Sequence, residues 1–421
     1  MCLKSIIKKH VLLIALTGVY SILNAQTLSL NNVLDSVERN NPLIASYSFK
    51  INAANSLAAG AKSWMPPMIG IGYDQTPYSL ANGETFFNRN QGSTLIMVQQ
   101  DIPNPGKQKA KQNYLSSLAA VDSAEFYSTK NKLFTEAKKE YIERYIAEKR
   151  LKIIDEEIDL LRFIIQTATS AYANNQSDLP SIFKAKARQH ALEAMRVHES
   201  SAIAEANSKL NSLMNLPQNT KFLIDSIVPF HNYKISELDT NSTYIAMHRS
   251  EIQKLERTIN SMQLNNALAL SASKPDFSIR YEHYNMFGSR NTFSLMGLMT
   301  IPIVPWAKKS YLSESRSIKL IIEAFHYEKL NTINEARSAI LQSLLHTLAE
   351  YHEVNYYVNE IIPAYKKAFD ASRLAYRNNT NTLIFTLMSW DDLNMSQMEY
   401  LYHLEQAYKS EIEYENAIEK R

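Results

Sequence analysis

The chain has 421 residues, with 45 Lys and Arg against 42 Asp and Glu, one cysteine and nine glycines. Nine glycines are about 2% of the chain, against roughly 7% in average proteins, and no GxGxxG or GxxxxGK(S/T) run is present, so nucleotide folds built on Gly-rich loops are excluded. The formal charge of +3 comes from Lys4, Lys8 and Lys9, because residues 1–25 hold no acid and the remainder balances at 42 against 42; that excludes broad electrostatic binding to nucleic acid.

Those three lysines precede an apolar run over 11–23, too short to span a bilayer comfortably, and Ala25 offers a small residue for cleavage. Residues 1–25 therefore read as an export signal. The only cysteine, Cys2, leaves with it, so the mature chain is expected to carry no disulfide, thiolate nucleophile or cysteine metal site. No later stretch reaches 18 consecutive apolar residues.

Next comes a helix over 30–62, then a short β zone. Seven of the nine glycines and eight of the 13 prolines fall within 66–107 or 275–309, and the rest of the chain is rich in helix formers. In the first zone Ile69, Ile71 and Tyr73 alternate with Gly70, Gly72 and Asp74, and Leu95 and Met97 follow. Asn82-Gly83 marks a long polar loop between the two strands. In the second zone Phe277, Ile279, Tyr281 and His283 alternate with polar residues. So do Phe293, Leu295, Met299 and Ile301, although Met296 and Leu298 spoil the second face. Strands of about ten residues suit a tilted membrane β-strand; the alternative is a soluble hairpin with one wet face.

Between the zones runs a long helix over 106–171, roughly 100 Å at 1.5 Å per residue. Near its end Leu151, Ile154, Ile158, Leu161, Ile165, Ala168 and Tyr172 step 3-4-3-4-3-4, the seam of a coiled coil. Asn174–Asp178 breaks it, and a return helix runs over 180–214. The second half repeats the plan with a helix over 244–273, strands over 276–302, a long helix over 307–376 kinked at Pro363, and a return helix over 383–417. Ile-Pro-Asn-Pro-Gly-Lys at 102–107 resembles the stretch at 301–308, and Ala-Tyr-Ala-Asn-Asn at 171–175 matches Ala-Tyr-Arg-Asn-Asn at 375–379. Two matches in one order at nearly one offset indicate an internal duplication, with repeats over 26–230 and 231–421.

The fold class is mainly α with a small membrane β contribution: long antiparallel coiled-coil helices and four strands per protomer. Four strands cannot stand alone in lipid, since open edges expose unpaired N–H and C=O groups. Such a chain must oligomerise to close a barrel, and a barrel continued by long helices is a conduit.

Over essentially the whole mature chain the sequence resembles the TolC family of outer-membrane efflux proteins. The resemblance rests on Leu28-Ser-Leu-Asn-Asn-Val-Leu with Asn40-Asn41-Pro42-Leu43, the Ile-Pro-x-Pro-Gly-Lys exit from the second strand, the Ala-Tyr-x-Asn-Asn tips, and the 210–217 stretch ending Asn215-Leu216-Pro217. It implies a homotrimer with a 12-stranded barrel in outer-membrane lipid and an α-helical tunnel in the periplasm. It also implies docking to a periplasmic adaptor protein and an inner-membrane pump such as an RND transporter. Residues 100–107 look more like members serving heavy-metal pumps, the CusC- and CzcC-like branch. Drug efflux, type I protein secretion and a non-channel exported scaffold are the alternatives. The tips, with Asn174, Asn175, Ser177, Asn378, Asn379 and Asn381, would contact the adaptor. Some members place constricting aspartates at the start of the second return helix. Here Phe385 and Met388 stand there, with Asp178 at the first tip; either they line an apolar closed end or both are buried between helices.

Trp64 and Trp306 bracket the strands and are candidates for the membrane interface, or for packing at a helix–strand junction. His346, Glu350 and Glu353 fall on one helix face with His352 nearby, a spacing that could bind zinc or be an ordinary solvated face. Met388, Met395 and Met398 could be soft metal ligands, but their helical spacing favours a core or seam. No nucleophile–base arrangement or cofactor motif stands out, so neither enzymatic activity nor a cofactor is expected.

Overall fold

A computed structural model describes residues 27–75, 91–172, 179–230, 242–378 and 380–419. The leader, the Asn82-Gly83 loop and the first helix tip lie outside the described residues. The chain divides into two compact units that cut across the sequence halves. One takes residues up to Ala45, Thr129–Ile245 and Ala336–Arg421; the other takes Ser46–Ser128 and Ala246–Glu335.

The first unit is helical. After strand β1 (Thr27–Leu28), the Ser29 hydroxyl accepts the Asn32 amide at 3.2 Å and starts α1 (Leu30–Asn40), which buries Val33 and Val37. The single helix expected over 30–62 is broken at Asn41, whose backbone is extended. The reason is Pro42: the residue before a proline is pushed out of the α region, and proline itself fits the first helical position. Helix α2 (Pro42–Ala59) starts there, with the Asn41 carbonyl oxygen of the side chain accepting from Leu43 N at 2.9 Å. From Ser46 the helix belongs to the second unit, as does the 3-10 turn (Gly60–Lys62) that follows.

Helix α3 (Pro105–Tyr172) runs 68 residues without a break, and α4 (Leu179–Leu213) returns. Asn215, at φ 56°, ends α4, letting Leu216 N bond back to Asn211 O at 2.8 Å. Strand β4 (Leu223–Ile224) pairs in parallel with β1. Tyr141 fastens both to α3: its hydroxyl donates to Leu28 O and accepts from Asp225 N, each at 3.0 Å.

The second long helix, expected over 307–376 with a kink at Pro363, is interrupted just before that residue. Helix α7 (Pro305–Tyr356; α5 and α6 precede it, below) gives way to a π turn (Tyr357–Ile361) and then α8 (Ile362–Arg377). Pro363 has no N–H and its ring would strike the carbonyl four residues back; one widened turn, closed by Ile362 N to Tyr357 O, absorbs the conflict. Helix α9 (Leu383–Ile418) completes the unit. The core here joins Ile154, Ile158, Leu161 and Ala168 of the predicted seam to Ile182, Ala185 and Leu192 of α4, Phe369 of α8, and Leu383, Leu387, Trp390 and Leu393 of α9.

The second unit holds a four-stranded antiparallel sheet in the order β2 (Met68–Asp74), β3 (Ser93–Ile102), β5 (Phe277–Met286) and β6 (Thr292–Met299). Ile301, expected in the last strand, falls after its end. Helices α5 (Ser242–His248) and α6 (Ser250–Ser271) replace the single helix expected over 244–273, with Arg249 extended between them. A small core joins Ile259 and Ala269 of α6 to Ile318 and Ile322 of α7.

Candidate functional site: a sheet with reversed faces and a striped helix

The sheet register puts Ile69, Val98, Tyr281 and Leu295 in one row across all four strands. The next row on that face is Ile71, Ile96, His283 and Phe293. Apart from His283, which is half-buried, these side chains are apolar and point away from the protein: Ile71 is 82% exposed and Leu295 67%. Water-facing sheets do the reverse, and a contiguous exposed apolar face signals contact with another apolar phase.

The opposite face carries the charged side chains and is internally bonded. Arg280 Nε donates to Gln99 Oε1 at 2.8 Å, Gln99 Nε2 donates to Asp101 Oδ1 at 3.0 Å, and the Tyr284 hydroxyl donates to Glu282 at 2.8 Å. Met296 and Leu298 fall on this side, as the sequence suggested. Leu95 and Met97 lie on it too, paired with Gly72 and Gly70, so Ile96 and Val98 take the apolar face.

The β3–α3 and α6–β5 junctions are fastened together at the foot of the sheet. Asn104 accepts the Gly106 amide at 2.9 Å and donates to Pro275 O at 2.8 Å, while Lys107 pairs with Asp276 at 2.6 Å. Trp64 precedes β2 and Trp306 follows β6, and both are exposed.

In the helical unit, Phe385 is 57% exposed and Met388 55%, so neither is buried between helices of its own chain. They begin a stripe missed at the sequence level: Phe385, Met388, Asp392, Met395, Glu399 and Tyr402 step 3-4-3-4-3 along α9 and are all exposed. That stepping was the available signal. Of the core or seam positions expected for the three methionines, Met388 and Met395 lie outside the core of their own chain, whereas Met398 packs against it. At the second tip Asn378 N bonds to Leu374 O at 3.1 Å. Asn381 donates to Ser372 Oγ at 3.1 Å and accepts from Thr382 N at 2.9 Å, which gives it a role within the turn. Asn174, Asn175, Ser177, Asp178 and Asn379 lie outside the described residues.

The grouping read from His346, Glu350 and Glu353 is rearranged. His346 Nδ1 stands 3.6 Å from Glu350, but His403 of α9 reaches both Glu350 and Glu353 at 2.9 Å. Tyr357 of the π turn stacks on His403 at 5.3 Å and donates its hydroxyl to Glu399 at 2.7 Å; that bond pushes its pKa up to about 12, so it stays a donor.

Comparison of the sequence with family profiles and with curated proteins finds no match. Solved structures do match. CusC, described for its folding and transmembrane channel formation, superposes with a TM-score of 0.74 at 12% identity, over 92% of this chain and 91% of that chain. The Campylobacter jejuni CmeC outer membrane channel gives 0.74 at 13%, over 92% and 85%. The Vibrio cholerae outer membrane protein VceC gives 0.71 at 14%, over 92% and 95%. The resemblance read from the sequence thus holds at the level of the fold.

Proposed function

We propose that this chain, built on the fold of outer-membrane channels, is itself an outer-membrane channel of the TolC family: a passive exit duct rather than an enzyme. The observation that carries the reading is the sheet. One face is apolar and exposed, the other carries the charged and hydrogen-bonded groups, and β2 and β6 end the sheet order with one edge each. In hydrocarbon every unsatisfied backbone group costs on the order of several kcal/mol, so those edges must be closed by further copies of the chain. Three copies give a 12-stranded barrel with room for a lumen lined by the Gln99–Arg280–Glu282 face. Trp64 and Trp306 then sit where aromatic side chains favour the headgroup layer.

In this reading the N-terminal leader directs export and the helical unit forms the periplasmic duct. The Asn378–Asn381 tip and its counterpart around Asn174, Asn175 and Ser177 contact a periplasmic adaptor, and an inner-membrane pump such as an RND transporter supplies the cargo. The stretch at 100–107 favours heavy-metal ions as that cargo. Phe385 and Met388, with Asp178, narrow the closed end, which makes the constriction more apolar than a carboxylate ring.

The test is reconstitution. Detergent-purified protein should run as a heat-modifiable trimer and give discrete conductance steps in a planar bilayer. Phe385→Ala and Met388→Ala should raise the closed-state conductance. A monomer that stays in solution without detergent and gives no conductance would overturn the reading.

A further inference from the structure

We propose that Glu350, Glu353 and His403 form a binding site for a divalent cation of the zinc class, tying α7 to α9 beside the π turn. One oxygen of each carboxylate and one ring nitrogen of His403 all lie within 4.8 Å of one another. Glu350 and Glu353 are three residues apart, so α7 presents both on one face, and α9 brings the imidazole across to them.

The donor chemistry selects the ion. One imidazole nitrogen with two carboxylate oxygens suits zinc, copper or nickel, whereas magnesium and calcium prefer oxygen alone. Ligand atoms around a tetrahedral zinc sit about 3.3 Å apart, given bonds of about 2.0–2.1 Å. The two 2.9 Å separations need only open slightly, and Glu353 is half exposed and free to swing. Three protein ligands leave a fourth position for water.

Two further features fit a cation. Among the described residues the ion-pair partners of Glu350 and Glu353 are imidazoles alone, with neither lysine nor arginine within 4.0 Å. The surrounding residues also hold the His403 ring plane and add a second imidazole beside Glu350. Tyr357 stacks flat on the His403 ring, at an interplanar angle of 24°, and His346 approaches the other oxygen of Glu350. The site stands apart from the channel reading, since nothing in it depends on a barrel or a cargo.

The experiment is calorimetric titration of the full-length, detergent-purified, chelator-treated protein with zinc chloride. The expected result is one zinc per chain, weakened at least tenfold in Glu353→Gln and His403→Gln and less in His346→Gln. Zinc should also raise the melting temperature of the parent but not of the two ligand variants. The exposed Glu353→Gln change should leave the fold intact, as circular dichroism would verify, so a misfolded His403 variant would not spoil the test. No saturable uptake, or one zinc per chain retained in both ligand variants, would overturn the proposal.

Discussion

Glu157 is nearly buried on α3, and its carboxylate accepts the indole N–H of Trp390, a side chain only 1% exposed. Burial pushes the Glu157 pKa above the ordinary carboxylate value, and the indole bond, pulling it down, is the smaller effect. A carboxyl group with a higher pKa folded than unfolded supports the fold while protonated, and that support is lost as pH rises through the folded value. At neutral pH the charge is a burden. Glu157→Gln keeps an acceptor for Trp390 and removes the charge, so its melting temperature should exceed the parent's at pH 7 and converge with it near pH 4. A lower melting temperature at pH 7 would mean that the charged acceptor outweighs its desolvation. Arg144 works differently, because its planar guanidinium serves three partners. It donates to Glu148 at 2.9 Å, Asn207 at 2.7 Å and Phe222 O at 2.6 Å, and lies over the Phe222 ring at 4.5 Å. A lysine reproduces the charge but not the fork, so Arg144→Lys should cost about 2 kcal/mol in thermal or urea unfolding. Neither contact was legible in the sequence: 233 residues separate Glu157 from Trp390, and no local spacing marks the pair.

Strands and helices were legible where residue types contrast. Ile69-Gly70-Ile71-Gly72 and Phe277-Ser278-Ile279-Arg280 each declare their faces. Leu95-Ile96-Met97-Val98 does not, because it is apolar at all four positions; only pairing with β2 and β5 decides that Ile96 and Val98 go outward. The break at Asn41 had its signal in Pro42, while the break at Arg249 has none, for its side chain makes no helix cap. The two faces also make a prediction. An arginine on the lipid side of a barrel near the midplane costs about 2–4 kcal/mol, and far less in a wet lumen. Ile71→Arg should therefore reduce the heat-modifiable oligomer recovered from outer membranes, while Ser294→Arg, on the polar face, should assemble and change conductance. Equal recovery of both would contradict the assignment of faces.

At the scale of the molecule, the sequence repeat and the compact units answer different questions. The repeated tips and exits follow the chain, but each compact unit draws on both halves, because α3 and α7 each contribute residues to both. What no single chain can display is closure. If β6 of one copy meets β2 of the next, lipid-facing residues of the two edges come within disulfide range at one register, Cα atoms about 4.4–6.8 Å apart. Ile71→Cys, combined in turn with Phe293→Cys, Leu295→Cys or Gly297→Cys in a Cys2→Ser background, samples three adjacent registers. One pairing should give a non-reducing ladder that stops at the trimer, because a third bond closes the ring. A ladder ending at the dimer would mean eight strands and a barrel filled by its own side chains. Monomers in all three pairings, with the protein still in the membrane, would mean that the edges are covered by something other than this chain.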